Sequence, residues 1–245
     1  MLPLLSLTAP VDIYCERLGP AFWAEPANAI SNMSFIAAAI WGWREARRRD
    51  ESNPLVWVLI ALAFTIGIGS FLFHTFAQVW ASYADTIPIW SFVALYCFVA
   101  LSRLGGVRPG IVAAGALALI AVLTVWRLAA PETAPETTPA ADVPRGPDPL
   151  NGSGQYAPAV VAFIIFTIIA FWRHHPLRWW VAGAGLVFLL SLTARTFDRD
   201  LCTAFPLGLH WIWHLLNGFM IGLVLQILIR SAPAAGRGAG APLPR

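Results

Sequence analysis

Long apolar runs alternate with short polar connections along the chain. A bilayer core is about 30 Å thick and a helix of about 20 residues crosses it, so runs of that length predict transmembrane helices. Such runs occupy residues 26–43, 54–76, 82–102, 109–127, 156–173, 178–196 and 208–230. The first run has the least defined start, because it contains Asn28, Ser31 and Asn32. The pattern predicts an all-α membrane protein with seven transmembrane helices.

Composition excludes the other broad classes of protein. Of the 245 residues, 58% are hydrophobic and only 12% are charged, whereas soluble domains carry about 25% charged residues. This balance excludes a disordered chain, an ordinary soluble enzyme and a nucleic-acid-binding module. The net charge of +3 is too small to indicate a polyanionic partner, and no protein partner is evident.

The arginines predict how the helices are oriented. The connections after the first, third and fifth predicted spans carry arginines, as does the tail that follows Arg230, whereas the connection after the second span carries none. The positive-inside rule therefore places the N-terminal segment, residues 1–25, outside and the tail, residues 231–245, in the cytoplasm. Arg195 and Arg199, which precede the last span, are the exceptions. A multi-pass protein of the plasma membrane is predicted, or of the inner membrane if the source is bacterial.

One hydrophobic domain, residues 26–230, is predicted between two polar ends. Residues 130–155 are rich in Pro, Glu, Thr and Gly, a composition that cannot bury a core and predicts a flexible outer loop. The tail from 231 predicts disorder for the same reason. Residues 1–10 are apolar but lack a positive start and a cleavage site, so they are interpreted as mature sequence rather than a signal peptide.

A few polar side chains lie inside predicted spans. Burying such a side chain in a bilayer costs free energy, so a functional role is the first hypothesis for each. His74 lies near the end of the second span, Asp85 near the start of the third, and His210 and His214 in the first turns of the seventh. Ser70 precedes His74 by four residues, and residues four apart share one helix face. In the predicted topology all five converge roughly one to two turns, about 5–10 Å, below the outer surface.

Three histidines at one depth favour a metal site. A His₃ set leaves a fourth tetrahedral position open and suits zinc, which needs no thiolate or carboxylate. A single intramembrane histidine is more often a hydrogen-bond donor between helices; the matching depth of Ser70 and Asp85 favours the metal. His174 and His175 lie in a predicted cytoplasmic turn, where a solvated basic surface is a sufficient explanation.

The N-terminal segment holds a second group of acidic residues, Asp12, Glu16 and Glu25. Such hard oxygen ligands could bind calcium, although their spacing does not match an EF-hand loop. A solvated acidic loop, or carboxylates at a helix N-terminus, explains the spacing equally well.

Two cysteines are predicted to lie outside the membrane. Cys15 is in the N-terminal segment and Cys202 precedes the last span, and an oxidising exterior allows them to pair. Cys97 lies within an apolar span and is interpreted as a packing residue. The spacing of Gly218 and Gly222 predicts a close contact between helices.

An ordered set of these motifs resembles the alkaline ceramidase family, a branch of the CREST superfamily of seven-helix membrane hydrolases, and indicates a bacterial-type member. The resemblance extends from about residue 12 to 220. The motifs are Tyr14-Cys15-Glu16, Glu25-x-x-Asn28, Ser70-x-x-x-His74, Asp85, Asp198-x-x-x-Cys202 and His210-x-x-x-His214.

The resemblance implies a zinc ion held by His74, His210 and His214, with Ser70 and Asp85 completing the site. It also implies a disulfide between Cys15 and Cys202, and a calcium site at Asp12, Glu16 and Glu25. Two positions depart from the family pattern. Asp12 is one residue further from the Cys-Glu pair than the acidic residue of the family pattern. Leu18 is found where the family has an asparagine ligand.

The implied function is zinc-dependent, intramembrane hydrolysis of a ceramide-like lipid to a fatty acid and a sphingoid base. Asp85 would accept and return the proton, and Ser70 would help to stabilise the oxyanion. The substrate would enter from the bilayer, and the site would lie nearer the extracytoplasmic side. One alternative is an adiponectin-receptor-like receptor. That branch shares the Ser/His/Asp/His/His set but typically lacks the Cys-Glu and Glu-x-x-Asn motifs. The other alternative is a structural zinc bundle.

Overall fold

A computed structural model describes residues 6–129 and 148–231. Apart from short turns, the secondary structure of these residues is helical, as predicted. The helices are α1 (Pro26–Ser31), α2 (Met33–Arg48), α3 (Pro54–Phe76), α4 (Val79–Arg103), α5 (Pro109–Ala129), α6 (Ala157–Trp172), α7 (Arg178–Thr196) and α8 (His210–Ser231), with 3₁₀ turns at Ser153–Tyr156 and Arg199–Leu201.

Within the described ranges, five stretches of helix are long and apolar enough to cross a membrane: α3, α4, Ser153–Trp172, α7 and α8. The first predicted span is divided into α1 and α2. The Ser31 hydroxyl and the Asn32 amide both donate to the Asn28 carbonyl, at 2.9 Å each. Such side-chain bonds compete with the backbone ladder and interrupt a helix. The count of seven spans and the orientation stay predictions.

Helices α3 and α4 form a tight antiparallel pair. Asn53 caps α3 by accepting from the Leu55 amide at 2.9 Å, and Pro54 occupies the first turn, where its missing N–H has no cost. The helix ends at Ala77, which adopts a left-handed conformation with φ of 46°. Only Ala77 and Gln78 then separate it from α4. The end of α3 therefore lies beside the start of α4.

Helix α8 is the most buried of the long helices, and it packs closely on α2. A Cβ added at Gly218 would lie 2.4 Å from Ser34 Oγ, and one added at Gly222 would lie 2.7 Å from Trp41 Cε3. Such distances are far inside van der Waals contact, so only glycine permits this approach. The predicted helix contact at these glycines is confirmed.

Ion pairs hold the end of the bundle that is opposite to the histidines. Arg103 on α4 donates to both carboxylate oxygens of Glu51, at 2.7 and 2.8 Å, and to the Leu228 carbonyl on α8. Burial by itself raises the pKa of Glu51, but the bonds from Arg103 and from backbone amides outweigh it and hold the pKa below its usual range. These bonds join α4 and α8 to the connection before α3.

The connection before α6 is held by side-chain contacts where the structure describes it, which corrects the prediction of a flexible loop for residues 148–155. Arg195 is buried, donates to the Asn151 carbonyl and the Ser153 hydroxyl, and lies 5.5 Å from the centre of the Tyr156 ring. One of the two exceptional arginines therefore anchors this connection to α7. Residues 1–5, 130–147 and 232–245, including most of the predicted tail, lie outside the described residues.

Candidate active site

The structure brings the three predicted metal ligands together. His74, near the end of α3, faces His210 and His214 in the first turns of α8. Their ring centroids are 4.5 to 5.2 Å apart, and one ligand atom from each lies within 4.8 Å of the others. All three side chains are buried. The predicted convergence of these histidines is confirmed.

A carboxylate orients His74. The Oε2 atom of Glu25 lies 2.5 Å from His74 Nδ1, which leaves Nε2 buried without a hydrogen-bond partner in the described chain. Burial alone raises the pKa of Glu25, but the bonds from His74, Asn28 and Arg17 lower it below its usual value. The carboxylate therefore accepts the Nδ1 proton, and Nε2 presents its lone pair. A histidine held in this way is a typical metal ligand.

A hydroxyl group orients His214 in the same manner. The Ser31 hydroxyl donates its only proton to the Asn28 carbonyl at 2.9 Å, so it must accept at His214 Nδ1, which is 2.8 Å away. The proton of His214 is therefore on Nδ1, and Nε2 is the nitrogen that can bind a metal. Ser31, whose polarity left the start of the first predicted span poorly defined, therefore orients one of the clustered histidines.

The third histidine is positioned through its backbone and its ring face. Asp198 Oδ1 accepts from the amides of Leu209 and His210 at 2.7 and 2.9 Å, which caps the start of α8. The ring of Tyr14 stacks on His210 with centroids 3.7 Å apart. His210 Nδ1 is buried without a partner among the described residues. Unpaired, buried imidazole nitrogens on two helices fit a zinc ion.

Asp85 and Ser70 lie beside the histidines, as predicted. Asp85 and Ser70 line the same cavity, and the Oδ1 atom of Asp85 is buried without a partner within the described structure. The approach of the two helices depends on Gly69, because a Cβ there would lie 2.0 Å from the Ala84 carbonyl oxygen. Pro88, four residues further on, has no N–H to pair with that carbonyl. The Ala84 carbonyl and Gly69 therefore meet next to Asp85 and Ser70 in the chain.

A cavity with mainly apolar walls opens from this cluster into the bundle. Its polar lining includes Tyr14, Ser70, Asp85, His210 and His214. The remaining lining is largely aliphatic and aromatic, and includes Ile89, Phe92, Phe166, Met220 and Val224. Val224 is ten residues beyond His214 on α8, which corresponds to about 15 Å along the helix axis.

The structure does not bring the three predicted calcium ligands together. Asp12 is exposed. Glu16 accepts from the amides of Ala27 and Asn28, at 2.7 and 2.8 Å, as a carboxylate at the start of α1. Glu25 pairs with His74 and with the buried guanidinium of Arg17. The role at a helix N-terminus, kept open as an alternative, describes Glu16.

Cys15 and Cys202 form a disulfide, with Cα atoms 5.4 Å apart. The bridge ties the N-terminal segment to the connection before α8. Asp198 joins the same contact, because its Oδ2 accepts from the Cys15 amide at 3.2 Å. The segment that supplies Tyr14 is therefore fixed to the start of the helix that supplies His210.

Four contributing residues carry no role in the sequence prediction: Tyr14, Arg17, Ser31 and Asp198. Tyr14 and Asp198 belong to motifs found in the sequence, but those motifs do not indicate which residues the two side chains contact. Burial raises the pKa of the Tyr14 phenol, which therefore keeps its proton and can donate it as a hydrogen bond. Arg17 gave no signal, since an arginine before the first span reads as a surface charge.

The fold and site define a helical membrane protein with a buried three-histidine cluster above an apolar cavity. A family model described as ceramidase matches residues 8–137, which is more than half of the chain. The chain belongs to the ceramidase family, and membership implies a hydrolase that acts on an amide bond of a lipid. The match includes Ser70, His74 and Asp85 and ends before His210. Neither a curated protein nor a solved structure matches the chain.

Proposed function

We propose that this protein is a zinc-dependent, intramembrane amidase that hydrolyses ceramide-like lipids to a fatty acid and a sphingoid base. The observation that carries the proposal is the cluster of three histidines, two of which, His210 and His214, line an apolar cavity together with Asp85 and Ser70. Family membership supports the amide chemistry, and the cavity supports a substrate with long alkyl chains. The predicted outer location of the site is part of the proposal.

His74 Nε2, His214 Nε2 and a ring nitrogen of His210 would hold the metal. Zinc bound by three neutral histidines lowers the pKa of a coordinated water from about 16 to about 7 and polarises a carbonyl oxygen. The chain itself fixes the ligand nitrogens, since Glu25 holds His74 and Ser31 holds His214. Without those partners the imidazole rings could rotate away from a shared point.

Asp85 is the proposed proton acceptor. Its Oδ1 is buried and has no partner within the described chain, and the carboxylate lines the same cavity as Ser70, His210 and His214. A water molecule that attacks the amide carbonyl would transfer its proton to Asp85. Asp85 would then return the proton to the amine as the C–N bond breaks. The carboxylate is thus restored in each turnover, and such groups contribute about 10²–10⁴-fold to a rate.

Hydrogen-bond donors near Asp85 support the developing oxyanion. The Ser70 hydroxyl is one, and the Tyr14 phenol, which lines the same cavity, is a second. Oxyanion donors are each worth about 3–4 kcal/mol in comparable enzymes. Tyr14 can act only as a neutral donor, because burial keeps its proton in place.

The cluster favours hydrolysis over a purely structural zinc bundle. Among the described residues, the group that could hold a metal consists of three histidines and contains no fourth ligand. Structural zinc sites are closed by four protein ligands, whereas catalytic sites keep one position for water or substrate. The cavity beside the histidines gives a substrate access to that position.

The proposal is tested by metal analysis and lipid hydrolysis on one detergent-purified preparation. We expect about one zinc per chain, release of fatty acid from N-acyl sphingoid lipids, loss of turnover after treatment with a chelator, and recovery on adding zinc. Ester-linked lipids of the same chain length are the matched substrates. Full turnover by metal-free protein, or hydrolysis of the esters but no amide, would contradict it.

Replacing Gly69 with alanine should disrupt the site without removing any polar group. The added Cβ would meet the backbone of Ala84, so α4 must move away from α3 and carry Asp85 from Ser70. A displacement of about 1 Å can cost on the order of 10²-fold in rate, and overpacking costs roughly 1–3 kcal/mol of stability. Turnover and the melting temperature are the measurements. Gly183→Ala in α7 is the control, because its Cβ would meet nothing within 4 Å, and wild-type behaviour in Gly69→Ala would contradict the prediction.

A further inference from the structure

Arg17 is a buried cation in the N-terminal segment. Its side chain is 4% exposed, and its guanidinium pairs with Glu25 Oε1. Nη1 donates to the Gly19 carbonyl and Nη2 to the His74 carbonyl, at 3.0 Å each. Three oxygen atoms from separate parts of the chain therefore surround one positive group.

The residues that the family resemblance implies for calcium do not fit that ion in this chain. Calcium takes six to eight oxygen ligands at about 2.3–2.6 Å. Asp12 and Leu18 are exposed, and Glu16 is engaged by backbone amides. Of the three acidic residues only Glu25 is then left, and its Oε1 already pairs with the Arg17 guanidinium. A metal ion would have to displace a buried arginine, and like charges would oppose its approach.

One residue connects this guanidinium with the histidine cluster. Glu25 uses Oε1 for Arg17 and Oε2 for His74 Nδ1. Arg17 also binds the backbone carbonyl of His74, so it contacts both the histidine and the residue that orients it. Removing the guanidinium would leave Glu25 as a buried carboxylate without its countercharge, a costly arrangement that favours rearrangement.

We propose that Arg17 is a positioning residue whose guanidinium is the fixed cation of the N-terminal segment, in place of calcium, and holds Glu25 against His74. Zinc binding and stability therefore do not depend on calcium. The inference rests on the zinc site of the proposed function but not on its lipid substrate. Its two consequences, for zinc binding and for stability, can therefore be tested without a hydrolysis assay.

The first experiment titrates calcium into the wild-type protein in buffer freed of divalent ions, and follows the melting temperature. A site with a Kd near 0.1 mM, typical of extracellular calcium modules, would raise Tm by roughly 5 °C at about 10 mM calcium. We expect no shift beyond that caused by magnesium at the same concentration. A saturable, calcium-specific rise would overturn the proposal.

The second experiment measures zinc affinity by competition with a chromogenic chelator. Arg17→Ala opens a space between the oxygens of Gly19, Glu25 and His74, and we expect its affinity for zinc to fall by about 10–100-fold, as for other outer partners of metal ligands. Millimolar guanidinium should restore part of that loss by filling the space. Arg17→Lys, which keeps the charge, should lose less. Arg199→Ala is the control, because Arg199 is an exposed arginine before α8.

The outcomes separate this inference from the proposed function. Unchanged zinc affinity in Arg17→Ala would refute the positioning role and leave the proposed function standing. A wild-type protein that binds no zinc would refute the proposed function, and the calcium titration would still decide whether Arg17 replaces the ion. If Arg17→Ala does not fold, a loss of zinc affinity in Arg17→Lys that does not exceed the range of an outer partner, about 10–100-fold, supports the proposal. A loss there as large as that of His74→Ala would overturn it, because a positioning residue contributes less to zinc affinity than a ligand does.

Discussion

Asp85→Asn is expected to retain zinc and to lose about 10²–10⁴-fold in turnover, mainly in kcat. Asparagine has nearly the same shape as aspartate, but it cannot accept the proton of the attacking water. Because Asp85 is not among the clustered ligands, the metal should remain in place. Metal content and rate must be measured on the same preparation.

Asp200→Asn is the matched control for this substitution. Asp200 is exposed in the connection between α7 and α8, so the same chemical change should leave turnover at the wild-type level. Loss of zinc in Asp85→Asn would mean that the carboxylate holds the metal. Retention of both zinc and turnover would mean that another group accepts the proton.

His214→Ala is expected to release the metal and abolish hydrolysis. The substitution removes one of the three proposed ligands, so zinc affinity should fall by more than the 10–100-fold that loss of an outer partner costs. Ser31→Ala, which removes only the group that orients His214 Nδ1, should fall within that range. The two variants therefore form a graded pair, measured by metal analysis after dialysis and by competition with a chelator.

His175→Ala is the control for loss of a histidine. His175 is half-buried in the turn between α6 and α7, and its Nδ1 accepts only from the Leu177 amide. Zinc content and turnover should therefore match the wild type. Full zinc occupancy with normal turnover in His214→Ala would refute the metal site, whereas equal losses in both variants would indicate a general defect in folding.

Hydrophobic patterning predicted the long helices closely, because a membrane helix needs a continuous apolar run. The predicted limits of residues 54–76 and 178–196 coincide with α3 and α7. The prediction of one continuous helix over residues 26–43 was wrong. The side chains of Ser31 and Asn32 bind the Asn28 carbonyl, and the helix is interrupted there. Hydropathy counts how polar a residue is and does not report which backbone group its side chain binds.

Composition was also a poor guide to the connection before α6. Proline and glycine content predicted a flexible loop through residue 155, yet the stretch from 148 is held by Arg195 on α7. That contact joins residues 44 positions apart in the chain. Local composition cannot predict a contact of that kind, because it depends on where the helices lie in space.

The sequence by itself determined the all-helical class and the five polar residues of the site. Intramembrane histidine and aspartate are costly, so few occur, and their spacing along helices placed them at one depth. Residue type and location allowed the disulfide between Cys15 and Cys202, and the family resemblance implied it.

Only the tertiary structure decided how those residues are held. Glu25 was predicted as a calcium ligand, but packing places it between Arg17 and His74. Gly69 was one of many glycines until the Ala84 carbonyl was found against it. The physical reason is that a residue type limits which bonds a side chain can make, whereas the folded backbone determines which partners come within reach.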